Sequence, residues 1–469
     1  MIRPFHRFRP AIVTTATLAS VLLSAGAAMA GQPTPGGDGA GDPYYPTDGN
    51  GGYHASDYMV SISYDPASHH LDGDTTVTAT ATQDLSSFNL DLTGLTVSAV
   101  TVNGQPATFT RTGAHELVIT PAAALNSGAR FTTEVRYAGV PTAATGNGWT
   151  YSTTGGAFAA GEPHSAATWY PVNDTPTDKA SFHLSARVPT GWAVISNGLE
   201  GSTTTEAGWT TFHWDETTPV APYLTTVGID KWTLQRSTLA DGTPVVDAYG
   251  SGTDNERTNE ARLPEILDFL SSKFGKYPQD AAGGIFVAAQ VGFSLEIQTR
   301  PIYSPNVGLS TLVHENAHQW WGDAVSVNHW ADICLNECFA SYAQWLWSEA
   351  KEGVNLDDRY RQRVTAMRNT PGYWAGKLYD MGPGNEFTAV YDKGQLALHA
   401  LRRMIGEDAF STVLKQWPAA HHAGNASWSD FEKYVGQVAG VNLDGFFQEW
   451  FHGTTIPEDK YLFPGQLHA

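Results

Sequence analysis

The residues from Val313 to Asp323 combine side chains that can bind a metal and move a proton. The stretch reads Val-His-Glu-Asn-Ala-His-Gln-Trp-Trp-Gly-Asp, with His314 and His318 four positions apart. On a helix this spacing places both imidazoles on one face, and two neutral imidazoles can hold one Zn²⁺. Glu315 directly follows His314 and is placed to accept a proton from a water on that metal. The pattern predicts a zinc site with its own general base.

A third ligand is needed, because catalytic zinc sites combine three protein ligands with one open position. Eighteen residues separate His318 from Glu337, which lies in the stretch Leu-Asn-Glu-Cys-Phe-Ala at 335–340. A helix is predicted to begin there, and a carboxylate at its start can complete the site. The alternative is that Glu337 is an acid in the first helical turn, favoured by the helix dipole.

The elements that must position these residues change character along the chain. From Tyr58 onward, short alternating runs rich in Thr, Val and Tyr predict β-strands, and Asn103-Gly104 predicts a hairpin turn. The sequence predicts a β-rich domain over 48–235 and an α+β domain over 236–469. Apolar residues at helical spacing predict the helices of the second domain: Glu256–Phe274, Leu312–Trp321, Phe339–Ala350, Leu356–Arg368, Gly394–Ile405, Asp408–Trp417 and Trp428–Gly440.

The composition limits the class of protein. The 469 residues suit two or three domains, the net charge is −20, and aromatic residues make up 12% of the chain. A surface this acidic argues against binding to nucleic acid or to anionic membranes, and the aromatic content argues against extensive disorder. Two cysteines are too few for a disulfide-stapled small domain or a multi-cysteine metal scaffold.

The N-terminus has the pattern of an export signal. Three arginines precede an apolar run from Ala11 to Leu23 that is short of a bilayer span, and residues 28–30 fit a small-x-small cleavage site. We expect residues 1–30 to be a signal peptide and the mature protein to be secreted and free of the membrane. Residues 31–47, rich in Gly, Pro and Asp, are predicted to be a flexible linker. The alternative is a single anchoring helix.

The metal-binding motifs resemble those of the gluzincin aminopeptidases, the family of aminopeptidase N and leukotriene hydrolase. That family has His-Glu-x-x-His, eighteen residues, and then Glu within Leu-Asn-Glu-Gly-Phe-Ala; here Cys338 replaces the Gly. The resemblance covers residues 45–469 and is most specific over 292–341. It implies a β-rich domain followed by a thermolysin-like α+β zinc peptidase domain, in a short, two-domain member of the family.

The resemblance assigns roles to two further residues. The family has a Tyr in a Tyr-x-Lys-Gly element, which corresponds to Tyr391 in the stretch 391–394; its phenol would stabilise the oxyanion of the reaction. The family's Gly-Ala-Met-Glu-Asn element binds the substrate amine through its Glu, which aligns with Glu296, although the residues around it differ. The alternatives are a core tyrosine and an exposed strand glutamate.

A second amine-binding acid of the family comes from the β-rich domain. Counting back from Asp174, in the segment 170–176, places Glu162 at that position, while a neighbouring Gln of the family falls on Ala160. Two carboxylates near a metal can hold an ammonium group at a fixed distance from the attacking water. We therefore expect hydrolysis of the first peptide bond only. The alternative is that Glu162 is a loop acid.

Cys334 and Cys338 flank Glu337, and both depart from the pattern of the family. In an exported protein, two cysteines are expected to be oxidised together. A spacing of four on a regular helix holds the Cβ atoms too far apart for an easy bridge, but a bend at the helix start removes that obstacle. We predict a local disulfide; zinc binding by these cysteines is the alternative.

Together these residues predict an exported zinc aminopeptidase that acts on peptides with a free N-terminus, with its active site between the two domains. One Zn²⁺ per chain is bound by His314, His318 and Glu337, Glu315 is the general base, and Tyr391 stabilises the oxyanion. Three alternatives stay open: a thermolysin-like endopeptidase, an epoxide hydrolase of the same family, and a non-catalytic peptide-binding homologue. A monomer is expected, although the sequence does not define the oligomeric state.

Overall fold

The structure, a computed structural model, describes Met1, residues 32–142 and residues 147–467. The chain divides into two compact units, Met1–Gln32 and Pro33–Ala469, and every strand and helix given below belongs to the second. Apart from Met1, the predicted signal peptide at residues 1–30 lies outside the described residues. Among the helices that are described, none has both the length and the apolar character needed to cross a bilayer.

Strands dominate the first half of the chain, as the alternating pattern predicts. In chain order, the strands of the described residues are β1 (Thr34–Pro35), β2 (Tyr53–Asp65), β3 (His70–Ala81), β4 (Leu85–Asp91), β5 (Thr96–Val102), β6 (Gln105–Pro106), β7 (Thr108–Thr112), β8 (Glu116–Thr120), β9 (Arg130–Gly139), β10 (Asn147–Tyr151), β11 (Ala157–Gly161), β12 (Ala180–Pro189), β13 (Ala193–Ser196), β14 (Leu199–Glu206), β15 (Trp209–Val220), β16 (Val227–Asp230), β17 (Thr233–Thr238), β18 (Pro244–Tyr249), β19 (Ile285–Phe286), β20 (Ile302–Tyr303), β21 (Val325–Val327) and β22 (Gly424–Ala426).

Three sheets make up the β-rich part. The largest has the order β14-β15-β12-β2-β3-β9-β5-β6, and the two four-stranded sheets have the orders β1-β4-β8-β7 and β10-β11-β16-β13. Along β2, Tyr58, Val60 and Ile62 are buried and the residues between them are exposed, which is the period-two pattern of a sheet with one face in the core. The predicted hairpin turn joins β5 to β6, with φ of +51° at Asn103 and +71° at Gly104.

Helices follow, as their periodicity predicts, around a small sheet with the order β17-β18-β19-β20. The short helices α6, α10 and α11 were not predicted. In chain order, the α-helices of the described residues are α1 (Arg257–Glu260), α2 (Leu263–Phe274), α3 (Leu309–Ala317), α4 (Cys334–Glu352), α5 (Leu356–Met367), α6 (Pro371–Ala375), α7 (Asp392–Ile405), α8 (Glu407–Ala420), α9 (Trp428–Ala439), α10 (Asp444–Trp450) and α11 (Asp459–Leu462).

Within the segment 31–47, which is predicted to be a flexible linker, Asp42 and Tyr45 contact the helical half. The Asp42 carboxylate accepts a hydrogen bond from the Trp330 backbone N–H (2.8 Å), and the Tyr45 hydroxyl donates to Glu386 (2.9 Å). The many glycines and prolines of this segment support tight turns over the protein surface rather than disorder. The domain boundary near residue 235 stays a prediction, since elements on both sides belong to one compact unit.

Candidate active site

Helix α3 and the residue after it position the two histidines. The helix predicted to reach Trp321 ends at Ala317, but His318 keeps helical backbone angles and its N–H donates to the His314 carbonyl (3.3 Å). The two imidazoles therefore lie on one face, with their Nε2 atoms 3.1 Å apart. Burial lowers the pKa of His314, which favours the neutral imidazole that binds metals.

Glu337 completes the donor set from the first turn of α4. Its Oε2 atom lies 3.1 Å from Nε2 of His314 and 3.6 Å from Nε2 of His318. A tetrahedral zinc with bonds of about 2.1 Å places its ligand atoms about 3.4 Å apart, so the three side chains fit one zinc ion. Although burial opposes the shift, hydrogen bonding with the two imidazoles holds the pKa of Glu337 below its usual range. The ligand is therefore a carboxylate.

Contacts behind His318 set its orientation. Its Nδ1 donates a hydrogen bond to the Trp321 carbonyl oxygen (2.9 Å), which in the neutral imidazole leaves the Nε2 lone pair for a metal. Gly322 permits this close approach, because its φ is +133° and a Cβ atom there would lie 3.3 Å from Nδ1. The rings of Trp321 and Phe339 stack with centroids 3.8 Å apart, which holds the end of α3 against α4.

Glu315 and Tyr391 lie beside the metal donors in a cavity of about 420 Å³. Burial raises the pKa of Glu315 well above its usual value, which suits a group that takes up a proton. The Tyr391 hydroxyl donates to Oε1 of Glu337 at 3.3 Å. Burial and the surrounding carboxylates raise the pKa of Tyr391, so the phenol stays protonated and remains a hydrogen-bond donor.

The residues after Tyr391 explain why the Tyr-x-Lys-Gly element has this composition. Lys393 is buried, and its Nζ donates to the carbonyl oxygens of Gly376 (2.6 Å) and Gly453 (3.3 Å). At Gly394, a Cβ atom would lie 2.6 Å from Sγ of Cys338. Helix α7 thus approaches α4 closely only because glycine occupies this position, and Tyr391, at the start of α7, is held next to Glu337.

Glu162 and Glu296 line the same cavity as the metal donors. Glu162 directly follows β11, whereas Glu296 comes from the segment between β19 and β20. Glu296 is 2% exposed. Burial raises the pKa of both carboxyl groups, and the proximity of Glu296 raises that of Glu162 further. Because a positive charge between them would relieve both effects, the pair is suited to an ammonium group.

Cys334 and Cys338 form a disulfide at the beginning of α4. Both residues are fully buried, and the bond spans the turn that carries Glu337. Because the two sulfur atoms are bonded to each other, His314, His318 and Glu337 are the side chains available to hold a metal at this place.

Gln319 is a site residue whose role the sequence did not reveal. Its Oε1 accepts a hydrogen bond from the Thr299 N–H (2.8 Å), and its Nε2 donates to the Ile297 carbonyl (3.3 Å). These contacts fix the segment that carries Glu296 against the residues next to His318. The available signal was the position of Gln319 directly after the second histidine of the motif.

The fold and the site together define a zinc metallopeptidase. The metal donors come from consecutive helices of the α+β part, a buried acid and a phenol adjoin them, and the β-rich part contributes a further acid to the same cavity. Comparison with known proteins gives the family.

The chain matches the Peptidase family M1 domain over residues 287–450 and the Peptidase M1 N-terminal domain over residues 54–224. The structure resembles the crystal structure of the M1 zinc metallopeptidase from Deinococcus radiodurans with a TM-score of 0.82 and 28% identity, covering 90% of this chain and 99% of that one. The chain belongs to peptidase family M1. The resemblance inferred from the motifs and the order of β-rich and α+β parts are both confirmed.

Two curated relatives are aminopeptidases N. The protein from Streptomyces lividans is 25% identical over 321 residues, which cover 60% of this chain and 36% of the relative. The protein from Lactococcus lactis subsp. lactis is 25% identical over 329 residues, covering 63% and 38%. The matched region thus spans less than two fifths of the length of these relatives.

Proposed function

We propose that the protein is an exported zinc aminopeptidase that removes the N-terminal residue from peptides. The observation that carries the proposal is the pair of acids, Glu162 and Glu296, in the same cavity as His314, His318 and Glu337. A peptidase that cleaves internal bonds has no use for two carboxylates held next to its metal site, whereas an aminopeptidase needs them for the substrate amine.

The residues of the site divide the chemistry among them. Zinc, when bound, supplies a Lewis acid that activates water and polarises the peptide carbonyl. Glu315 accepts the proton of the attacking water and returns it to the leaving amine. The Tyr391 hydroxyl donates a hydrogen bond to the carbonyl oxygen as that oxygen gains negative charge, an interaction for which it must exchange its present acceptor, Glu337.

The two acids set which bond is cleaved. Ion pairing of the substrate ammonium with Glu162 and Glu296 holds the first peptide carbonyl at the reacting position. A substrate with a blocked amine lacks this positive charge, so the ion pairing that positions its first carbonyl is lost. We therefore expect strong discrimination against N-acetylated peptides.

The comparisons support a peptide substrate, whereas the export of the protein rests on the sequence. One structure of the similar Deinococcus radiodurans enzyme, in a mutant form, is described as bound to a Tyr-Ser-Ala substrate, and the relatives from Streptomyces lividans and Lactococcus lactis are named aminopeptidase N. Export is inferred from the pattern of residues 1–30. Mass spectrometry of the protein from culture medium should find an N-terminus at Gly31.

The decisive experiment measures hydrolysis of aminoacyl-arylamides and of their N-acetylated forms. The purified protein is assayed as prepared, after chelation, and after return of zinc. We expect turnover of free-amine substrates only, lost on chelation and restored by zinc. Glu296→Gln should lower kcat/KM for free-amine substrates, whereas Glu458→Gln, at a surface position, serves as the matched control and should not.

Other outcomes would contradict the proposal. Turnover of blocked peptides that is insensitive to Glu296→Gln indicates an endopeptidase. Turnover of epoxides without turnover of any arylamide indicates an epoxide hydrolase, and zinc binding without turnover of any of these substrates indicates a binding protein.

A further inference from the structure

A second group of metal-binding side chains lies in the β-rich part, away from the motifs that the proposed function uses. Asp91 ends β4, Glu116 begins β8, and the two residues are paired across these antiparallel strands. His115 directly precedes Glu116. One donor atom from each residue lies within 4.8 Å of the other two, and Nε2 of His115 is 3.5 Å from Oε1 of Glu116 and 3.9 Å from Oδ1 of Asp91.

Each of the two carboxylates directs one buried oxygen towards His115. Asp91 is 1% exposed and Glu116 is 7% exposed. Oδ2 of Asp91 accepts from the Asp174 N–H (2.8 Å), and Oε2 of Glu116 accepts from the Asn89 side chain (2.9 Å). Oε1 of Glu116 is buried and accepts no hydrogen bond from a described residue, and Oδ1 of Asp91 is buried, with the Asn50 side chain beside that carboxylate. Oδ1 of Asp91 and Oε1 of Glu116 are the two oxygens that face His115, and a cation between them would stabilise both negative charges.

A small cavity adjoins this cluster. It has a volume of about 90 Å³, and Asp91 and His115 contribute to its wall together with Asp48 and Asp174. The carbonyl oxygen of Thr47 lies 2.9 Å from Nε2 of His115 and is a further oxygen at the same place.

We propose that Asp91, His115 and Glu116 form a second, structural site for a divalent transition metal, Zn²⁺ or Mn²⁺. The donor set decides the class of ion, because imidazole suits zinc and carboxylates suit manganese as well, whereas Ca²⁺ takes six to eight oxygen ligands. In the metal-bound form, the neutral imidazole of His115 would carry its proton on Nδ1, which leaves the Nε2 lone pair for the ion. The ion then joins β4 to β8 and to the N-terminal segment that contains Thr47.

The test separates this site from the catalytic one by its metal content. The protein is loaded with excess Zn²⁺ or Mn²⁺, dialysed against metal-free buffer, and analysed by elemental mass spectrometry. We expect two equivalents per chain, and one equivalent in the double variant His314→Ala/His318→Ala. Adding Asp91→Asn and Glu116→Gln to that variant should remove the remaining equivalent. The matched control is Asp72→Asn, at an exposed carboxylate on β3, which should retain it.

Thermal unfolding gives a second, independent measurement. In the His314→Ala/His318→Ala background, Zn²⁺ or Mn²⁺ should raise the Tm, and Asp91→Asn with Glu116→Gln should abolish that rise. Circular dichroism shows whether each variant is folded; if the carboxamide variants are not, His115→Ala in the same background provides the comparison. One equivalent in the wild type together with none in the histidine background would overturn the proposal, as would binding of Ca²⁺ in place of both transition metals.

Discussion

Two separate clusters of imidazole and carboxylate donors in the described part of the chain are built differently. The helical cluster consists of His314, His318 and Glu337, lies on or next to helices α3 and α4, and faces a cavity of about 420 Å³. The strand cluster consists of Asp91, His115 and Glu116, lies on or next to the paired strands β4 and β8, and adjoins a cavity of about 90 Å³. The first has room for a substrate next to the metal donors, and the second has room for little more than an ion and water.

The residues around the two clusters also differ in the chemistry that they allow. Beside the helical cluster lie a buried acid, Glu315, and a phenol, Tyr391, both able to exchange or share a proton with a substrate. The strand cluster is surrounded by groups that already have backbone or side-chain partners, such as Asp174, whose carboxylate accepts the Ala167 N–H. A site used for catalysis keeps an open position and reactive neighbours, whereas a structural site is closed by its own fold.

The largest expected effect separates metal binding from catalysis within the helical cluster. Glu315→Gln preserves size and leaves the three donors in place, so the zinc content should not change. Because the amide cannot accept the proton of the attacking water, we expect kcat to fall by about 10³-fold. Elemental analysis and arylamide hydrolysis are the measurements. The matched variant Glu352→Gln, at the exposed end of α4, should behave as the wild type; equal losses in both variants would exclude a base role for Glu315.

The second largest expected effect concerns Tyr391, which lines the cavity beside the helical cluster. Tyr391→Phe removes one hydroxyl, and we expect kcat to fall by about 10²-fold with little change in KM, because the hydrogen bond forms chiefly in the transition state. Metal content should remain at the wild-type level, since the hydroxyl is not one of the three donors. A rise in KM with unchanged kcat would assign Tyr391 to substrate binding instead.

These contrasts also explain how much of the molecule could be predicted. The helical cluster was predictable because its spacing is local: His314 and His318 are one turn apart, and Glu337 lies in the first turn of the next α-helix. The strand cluster was not, because Asp91 and Glu116 meet only through the register of β4 and β8, which one-dimensional periodicity does not contain. The contacts of Asp42 and Tyr45 show the same limit, since their partners Trp330 and Glu386 lie hundreds of residues away along the chain.

Glu216 is a buried carboxyl group that belongs to neither cluster, and burial is the largest cause of its raised pKa. Glu216 on β15 is fully buried, accepts the Thr218 N–H (2.9 Å), and has a pKa raised by burial to about 8. Since the folded protein retains this proton above the pH at which the unfolded chain loses it, stability is present at low pH and is lost as pH rises from about 5 to 8. We expect a loss of the order of 3 kcal/mol over this range.

Urea unfolding at several pH values measures this dependence, with Glu216→Gln expected to flatten it. Glu206→Gln, at an exposed position on β14, is the control and should leave the slope unchanged. If Glu216→Gln keeps the wild-type slope, other groups cause the pH dependence.

The smallest expected effect concerns the bonds that hold the backbone of each cluster in place. The strand cluster is held by a hydrogen-bonded ladder, whereas Glu337 is held by a single helical turn that the Cys334–Cys338 disulfide closes. A loop this short contributes about 2 kcal/mol to stability by the loop-entropy relation. We expect Cys334→Ala/Cys338→Ala to lower the free energy of unfolding by this amount and to weaken zinc retention, because the turn that presents Glu337 is no longer closed. Intact mass should rise by two hydrogens when the unfolded wild type is reduced; an unchanged mass would mean that the cysteines are free thiols, and the brace on Glu337 would then have to come from the packing of α7 against α4 alone.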